Sequence, residues 1–379
     1  MRILGTHGVP GNYGGFETAA ENVARYLVRK GWRVVVYCQA FGTGPITTDV
    51  WEGIERVTIP VDKPGWRGTS LFDWRSIRHA CEFGDLCLTF GYNTGMYNFR
   101  QRLKRIPNII NMDGIEWKRA RWGFLKQALL YVNERFAALY GDHLIADHPE
   151  IEKYLQTRAP KRKLTTITYG ADPVNNPPAD SLVDYGLAPG TYMTLVARPI
   201  PENTILEMVR AFSASPRGVK LAIVGHYEES DPYHRAVMEA ASDEVLFLGA
   251  IFGTDKLAPL RYHGIAYLHG HTVGGTNPSL VEALAAGNPV IAHDNPYNRW
   301  VARDAARYFD TEERFGAVLA EVLADRSQLA QMQAAARRRY LEEFTWDHVA
   351  GQYEQLLLGF HPPLASARAG RSANTVEVS

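Results

Sequence analysis

The sequence predicts an α/β protein of two doubly wound, Rossmann-like domains with parallel sheets, facing each other across a cleft. Three observations carry this. At 379 residues the chain exceeds one ordinary domain and suits two of roughly 150–200 residues. Short β-branched runs alternate with helical periodicity, the signature of βα units. The alternation stops at ADPVNNPPAD, residues 171–180, and then restarts. A hydrophobic content of 46% against 22% charged residues suffices for two real cores.

The first unit is a strand at Ile3–Gly5, a glycine-rich loop, and a helix from Glu17 to Lys30 whose apolar Ala20, Val23, Leu27 and Val28 share a face. Gly31 ends that helix and RVVVYC, Arg33–Cys38, is the next strand. Further strands are expected at Asp85–Phe90, Asn108–Met112, His143–Ala146 and Leu164–Thr168, with a long helix over Gly123–Tyr140. After the 171–180 linker come strands at Met193–Ala197, Lys220–Val224, Val245–Leu248, Ala266–Leu268 and Val290–Ala292. Helices are expected at Ile205–Phe212 and Ser279–Ala286, then at Glu312–Leu323, Arg326–Glu343 and Trp346–Leu358. The implied domains are 1–170 and 171–345. The helix 346–360 is expected to pack back on the first domain, and 361–379 to form a disordered tail.

Forty-one basic and forty-one acidic residues give no net charge, which argues against a general nucleic-acid binder. The zero hides an asymmetry. Residues 1–170 hold 24 basic and 16 acidic side chains, +8, whereas residues 171–379 hold 17 and 25, −8. Cys38, Cys81 and Cys87 are too few and too scattered for a disulfide framework or zinc site. MRILGTHG is not a signal peptide, and no apolar run approaches the ~20 residues that span a bilayer, so a cytoplasmic protein, or one peripheral to the inner face of the membrane, is expected.

Four segments hold candidate chemistry. GTHGVPGNYGGFET, residues 5–18, joins a strand to a helix N-terminus, where backbone N–H groups and the helix dipole suit an anion; a flexible βα turn is the alternative. In residues 267–294 a strand runs into HTVGGTNPS, with Gly275, Thr276, Asn277 and the amides of Ser279 and Leu280 opening a helix toward a phosphate. Glu282 on that helix suits a ribose, or serves only the dipole. Arg198 ends a strand in LVARPIPENT, placed to clamp a diphosphate or to pair on the surface. In NMDGIEWKRARW, Asp113 suits an acid/base or hydrogen-bonding role, with Glu116 beside it, or a helix-cap role. Eight basic residues lie between Arg100 and Lys126, interleaved with Trp117, Trp122 and Phe124; either the stretch 99–126 rests on anionic lipid or it is a solvated face. There is no Asp-x-Asp motif or metal-ligand histidine spacing, so no metal is expected.

YGGFET, the R-x-x-P-E-N run from Arg198 and TNPSLVEALAAGNPVI together resemble the retaining glycosyltransferases of family 4, which have the GT-B fold; the resemblance spans about residues 1–360. GTHGVPGNYGGFET, DGIEWKRARW and HTVGGTNPSLVEA resemble the branch of rhamnosyltransferases that use dTDP-L-rhamnose to build bacterial surface polysaccharides. The resemblance implies a metal-independent enzyme with no cofactor beyond its dTDP-rhamnose donor, and a lipid-linked saccharide or oligosaccharide acceptor. The implied nucleotide-sugar site is Gly14, Gly15, Arg198, Asn203, His271, Gly275, Thr276, Asn277, Ser279, Leu280 and Glu282; the acceptor site is Tyr13, Gly14, Asp113, Glu116 and Trp117; Asp113, Arg198 and Glu282 carry catalysis. The sequence also departs from the family. Asn203 stands where a lysine usually helps hold the diphosphate, and Gly274 where a first glutamate touches the sugar. His271, Asn277 and the GGTN amides are the expected substitutes, and a role for His7, where the branch has arginine, is open. A UDP-hexose donor, a sugar-nucleotide 2-epimerase of the same architecture, and a non-catalytic nucleotide-sugar binder are the alternatives.

Overall fold

The computed structural model describes residues 1–11, 14–119, 122–251 and 253–360, so Tyr13 and the tail 361–379 lie outside it. The first sheet has eight strands: β1 (Arg2–Leu4), β2 (Val35–Phe41), β3 (Thr47–Trp51), β4 (Ile54–Val61), β5 (Cys87–Phe90), β6 (Asn108–Asn111), β7 (His143–Ala146) and β8 (Leu164–Thr166). Their order is β3-β4-β2-β1-β5-β6-β7-β8, parallel except for the β3–β4 pair. The second sheet holds β9 (Tyr192–Val196), β10 (Lys220–Val224), β11 (Val245–Phe247), β12 (Tyr267–His269), β13 (Val290–His293) and β14 (Ala306–Phe309), all parallel, in the order β11-β10-β9-β12-β13-β14. In each sheet the chain winds one way from its first strand and then the other, which places a crevice at the carboxyl ends of β1 and β5 and of β9 and β12.

Helices α1 (Gly15–Arg29), α2 (Gly65–Ala80), α3 (Phe99–Lys104), α4 (Phe124–Tyr140) and α5 (Pro149–Leu155) belong to the first sheet. Helices α6 (Ile205–Ser213), α7 (Pro232–Glu239), α8 (Thr254–Tyr262), α9 (Pro278–Ala285), α10 (Pro296–Ala302), α11 (Glu312–Ala324) and α12 (Arg326–Glu343) belong to the second. α1 buries Ala20, Val23 and Leu27 against Ile3 and Val36, and a fully buried Val or Leu stabilises the fold by roughly 1.5–3 kcal/mol. α13 (Trp346–Leu358) lies in that same first-domain core through Val349, Ala350, Tyr353 and Leu357. Its Tyr353 hydroxyl accepts a 2.7 Å hydrogen bond from Asn111 at the end of β6.

The structure corrects several elements. The strand expected at Arg33–Cys38 starts at Val35 and runs to Phe41, and the one expected from Asp85 starts at Cys87. Between them lie β3, β4 and α2, for which the sequence reading named no elements. β3 is an edge strand whose residues 47–50 are exposed, so it carries no apolar alternation. The three cysteines are free and buried.

Candidate active site

The N-termini of α1 and α9 meet across the cleft: a Cβ placed on Gly15 would lie 3.6 Å from Pro278 Cγ. Gly14 caps α1 with φ +94°, so the chain enters the helix without a side chain in the cleft. The loop amides before it are not all turned toward a ligand. The His7 N–H donates to Glu17 Oε1 at 3.0 Å and the Gly11 N–H to Glu21 Oε2. Two carboxylates of α1 therefore hold this loop, and the His7 and Gly11 amides already have acceptors.

From β12 the chain enters the 270–277 loop. Gly275 lies against Asp147, just past β7 of the other domain: a Cβ there would sit 2.2 Å from Asp147 Oδ1. The Thr276 N–H donates to Asp147 Oδ2 at 3.1 Å, and its hydroxyl donates to the Asp147 carbonyl. Asn277 Oδ1 accepts the Ser279 N–H at 3.0 Å, and the Leu280 N–H bonds the Asn277 carbonyl. In this conformation the Thr276, Asn277, Ser279 and Leu280 groups expected on phosphate and sugar are thus satisfied by the chain itself. What α9 presents to the cleft is its dipole.

Arg198 is exposed at the end of β9. Asn203 is 5% exposed and its Nδ2 donates to the Arg198 carbonyl at 2.8 Å. It braces the arginine loop from inside. His271 stacks on buried His269 with ring centroids 4.3 Å apart. Its carbonyl accepts from Asn295 and Asn298, both at 2.9 Å, fixing the residue. Burial first, then the Arg198 and Arg119 cations, pull its pKa down to about 3, so the imidazole is neutral. Its Nδ1 is buried without a partner.

Glu282 pairs with buried Arg261 at 2.6 Å and lines a cavity of about 270 Å³ with Tyr169, Asp172, Asp255 and Trp346. Tyr169 and Trp346 meet edge to face at 5.0 Å. A carboxylate fixed by an arginine beside two aromatic rings suits a ribose and a base.

On the first domain Asp113 follows β6 with φ +54°, its N–H on Asn111 Oδ1 at 3.0 Å. A Cβ on neighbouring Gly114 would be 3.9 Å from Gly274, so the two loops abut. Burial, and next the Asp113 charge, raise the pKa of Asp147. Glu116 and Trp117, expected as acceptor contacts, both have partners within the first domain. Glu116 is 9% exposed, pairs with Arg119 at 2.6 Å and accepts from Trp122 Nε1. Trp117 Nε1 donates to Glu134 Oε2 and the Tyr154 hydroxyl, both at 3.0 Å. Asp147 and Arg119 are cleft residues that the sequence reading missed. Arg119 sat within a basic run that read as surface, and Asp147 had only its strand-end position to mark it.

Residues 205–355 match a family described as glycosyl transferase-like, and residues 1–172 match a domain of unknown function, DUF1972. No curated protein matches the chain. Sucrose-phosphate synthase from Thermosynechococcus elongatus superimposes with a TM-score of 0.80 at 17% identity, over 95% of this chain and 98% of its own. Anabaena Alr3699/HepE in complex with UDP-glucose superimposes with a TM-score of 0.74 at 16% identity, over 95% and 100% of the two chains. WaaG, a glycosyltransferase involved in lipopolysaccharide biosynthesis, gives 0.73 at 14% identity, over 95% and 100%. The chain thus shares the two-domain GT-B fold of these structures, and its residues 205–355 are similar to the glycosyl transferase-like family.

Proposed function

We propose that the protein is a retaining, metal-independent glycosyltransferase that moves L-rhamnose from dTDP-L-rhamnose to a hydroxyl of a lipid-linked saccharide in the synthesis of a bacterial surface polysaccharide. The observation that carries the transferase reading is the meeting of the α1 and α9 N-termini across the cleft, beside Arg198 and a cavity walled by Glu282. The nucleoside fills that cavity, with Glu282 on the ribose. The diphosphate takes the α9 dipole and Arg198, which stabilise the charge that develops on the leaving group. The HepE structures hold UDP and UDP-glucose, which supports a nucleotide-sugar ligand for this fold.

The rhamnosyl donor rests on the sequence resemblance and on Gly274, where a carboxylate would otherwise reach the sugar. Gly274 has φ +144°, a conformation a glutamate rarely adopts, and the neutral His271 imidazole is the nearby hydrogen-bonding group. A 6-deoxy sugar has one hydroxyl fewer to satisfy. In the transfer the C1–O(phosphate) bond breaks, the acceptor oxygen bonds C1 on the same face, and the departing phosphate oxygen takes the acceptor proton. Asp113 hydrogen-bonds donor sugar and acceptor at the cleft edge.

Peripheral contact with anionic lipid at the cytoplasmic face is part of this reading, through residues 99–126. Trp117 and Trp122 are engaged within the domain, so Leu103, Phe124 and Leu125, 76–83% exposed beside Arg102, Lys104 and Lys126, make that contact. Among the described residues no helix is long and apolar enough to cross a membrane.

The test is mass spectrometry of the chain incubated with dTDP-L-rhamnose, UDP-glucose or UDP-galactose and an undecaprenyl-diphosphate saccharide extract, with EDTA present. A product heavier by one deoxyhexose, from the dTDP donor alone, is expected. A hexose product makes the donor a UDP-hexose; an epimerised nucleotide sugar without transfer makes the protein an epimerase.

A further inference from the structure

A pocket of about 60 Å³ opens at the carboxyl ends of β1 and β5, outside the donor cleft. Gly5 and Gly91 follow those strands, Phe16 of α1 forms one wall, and Asp73, Ser76, Asn93 and Thr94 supply the polar lining. Its position is the switch point of the first sheet, where the crevices of open α/β sheets receive ligands. Gly91 donates its N–H to the Asn111 carbonyl at 2.8 Å, so the pocket lies one strand from Asp113, along the same sheet edge.

Two of its groups are costly to bury with nothing bound. Ser76 is 0% exposed and, among the described residues, its Oγ has no hydrogen-bond partner. Asp73 is 8% exposed, and among the described residues it forms no ion pair; the Thr94 hydroxyl donates to its Oδ2 at 2.8 Å. Desolvation lifts its pKa to about 7, so near neutrality the carboxyl both donates and accepts. A buried hydroxyl without a partner and a carboxyl without a cation are an unfinished hydrogen-bonding network.

We propose that this pocket takes the vicinal-hydroxyl edge of the acceptor saccharide, with Asp73, Ser76 and Thr94 as its hydrogen-bonding partners and Asn93 at the mouth. The inference rests on the transferase reading. A volume of this size holds about four waters, which matches two neighbouring hydroxyls of a pyranose rather than a whole nucleotide. The acidic lining turns away phosphate, which separates this pocket from the donor site. Anchored there, the sugar extends along the strand ends toward Asp113 and the donor cleft.

The experiment is ligand-observed NMR of the full chain with methyl glycosides of rhamnose, glucose, galactose and glucosamine, alongside a dTDP and UDP titration of the same sample. At least one neutral glycoside is expected to bind the native protein, and to bind at least tenfold more weakly to Thr94→Val and Ser76→Leu, with nucleotide affinity unchanged. Ser76→Ala removes only the orphan hydroxyl and keeps the test alive should the leucine not fold; a threefold or greater loss is expected. The proposal is overturned if no neutral glycoside binds the native protein, if the folded variants bind as well as native, or if only the amino sugar binds. The nucleotide titration reports separately on the transferase reading: glycoside bound at the pocket with no nucleotide binding would overturn that reading and leave the pocket standing.

Discussion

Gly275→Ala is the sharpest perturbation of the contact that holds the two domains together. The new Cβ would lie 2.2–2.5 Å from the Asp147 carboxylate atoms, against an ordinary contact of at least about 3.4 Å. The loop must therefore retreat by roughly 1 Å. The Thr276 N–H bond to Asp147, 3.1 Å long, then exceeds 4 Å and is lost, and the Thr276 hydroxyl bond to the Asp147 carbonyl is lost with it. At about 0.5–1.5 kcal/mol for a neutral hydrogen bond and 1.5–3 for one to a charged group, the total is roughly 2–4 kcal/mol. Asp147→Ala removes the three atoms nearest the new methyl. The assay is a double-mutant cycle on urea unfolding of Gly275→Ala, Asp147→Ala and the pair. A coupling energy of roughly 2–4 kcal/mol is expected, with the glycine substitution nearly neutral once Asp147 is gone. Equal cost of Gly275→Ala in both backgrounds would refute the reasoning.

Other outcomes follow from the same geometry. Asp73 has a folded pKa raised to about 7, so burial disfavours its charged form, and stability falls as pH rises from the unfolded carboxylate value toward 7. Asp73→Asn should leave the urea midpoint unchanged near pH 4 and raise it at pH 8, at roughly 1.4 kcal/mol per pH unit of the interval. His148 has the opposite sign: burial lowers its pKa to about 4, so stability is full above about 6.5 and lost as pH falls below it. It sits between Tyr297 and Trp300 of the other domain, and its Nδ1 caps α5, a task asparagine can take over, so His148→Asn should flatten the loss between pH 7 and 5. Glu282→Ala should weaken nucleoside diphosphate binding by about tenfold in calorimetry, through one lost charged hydrogen bond; unaltered affinity would remove its ribose role.

The two sheets were legible because buried parallel strands such as Lys220–Val224 and His143–Ala146 are short runs rich in Val, Ile, Leu and Ala bounded by helical patterns. β3 was not, since an exposed edge strand has no core face to pattern. At the site, motif position fixes which strand or helix end Arg198, His271 and Glu282 occupy. Partners across the cleft could not. Asp147 meets Thr276 at a separation of 129 residues, and Arg119 acts on His271 through space, so no local spacing encodes either. The network that Glu116 and Trp117 form with Arg119, Glu134 and Tyr154 was hidden too, because a group near a strand end looks the same in sequence whether it faces the cleft or a neighbouring element.

The central claim is that a nucleotide sits between α9, Arg198 and Glu282. Isothermal titration of dTDP, UDP and GDP into native protein and Arg198→Ala, with EDTA present, tests it most directly. The account predicts binding of dTDP in preference to the others and a 10- to 100-fold loss in Arg198→Ala, the weight of about 1.5–3 kcal/mol for a charge-assisted contact. Equal affinity in both proteins, or no nucleotide bound by the native chain, would contradict it.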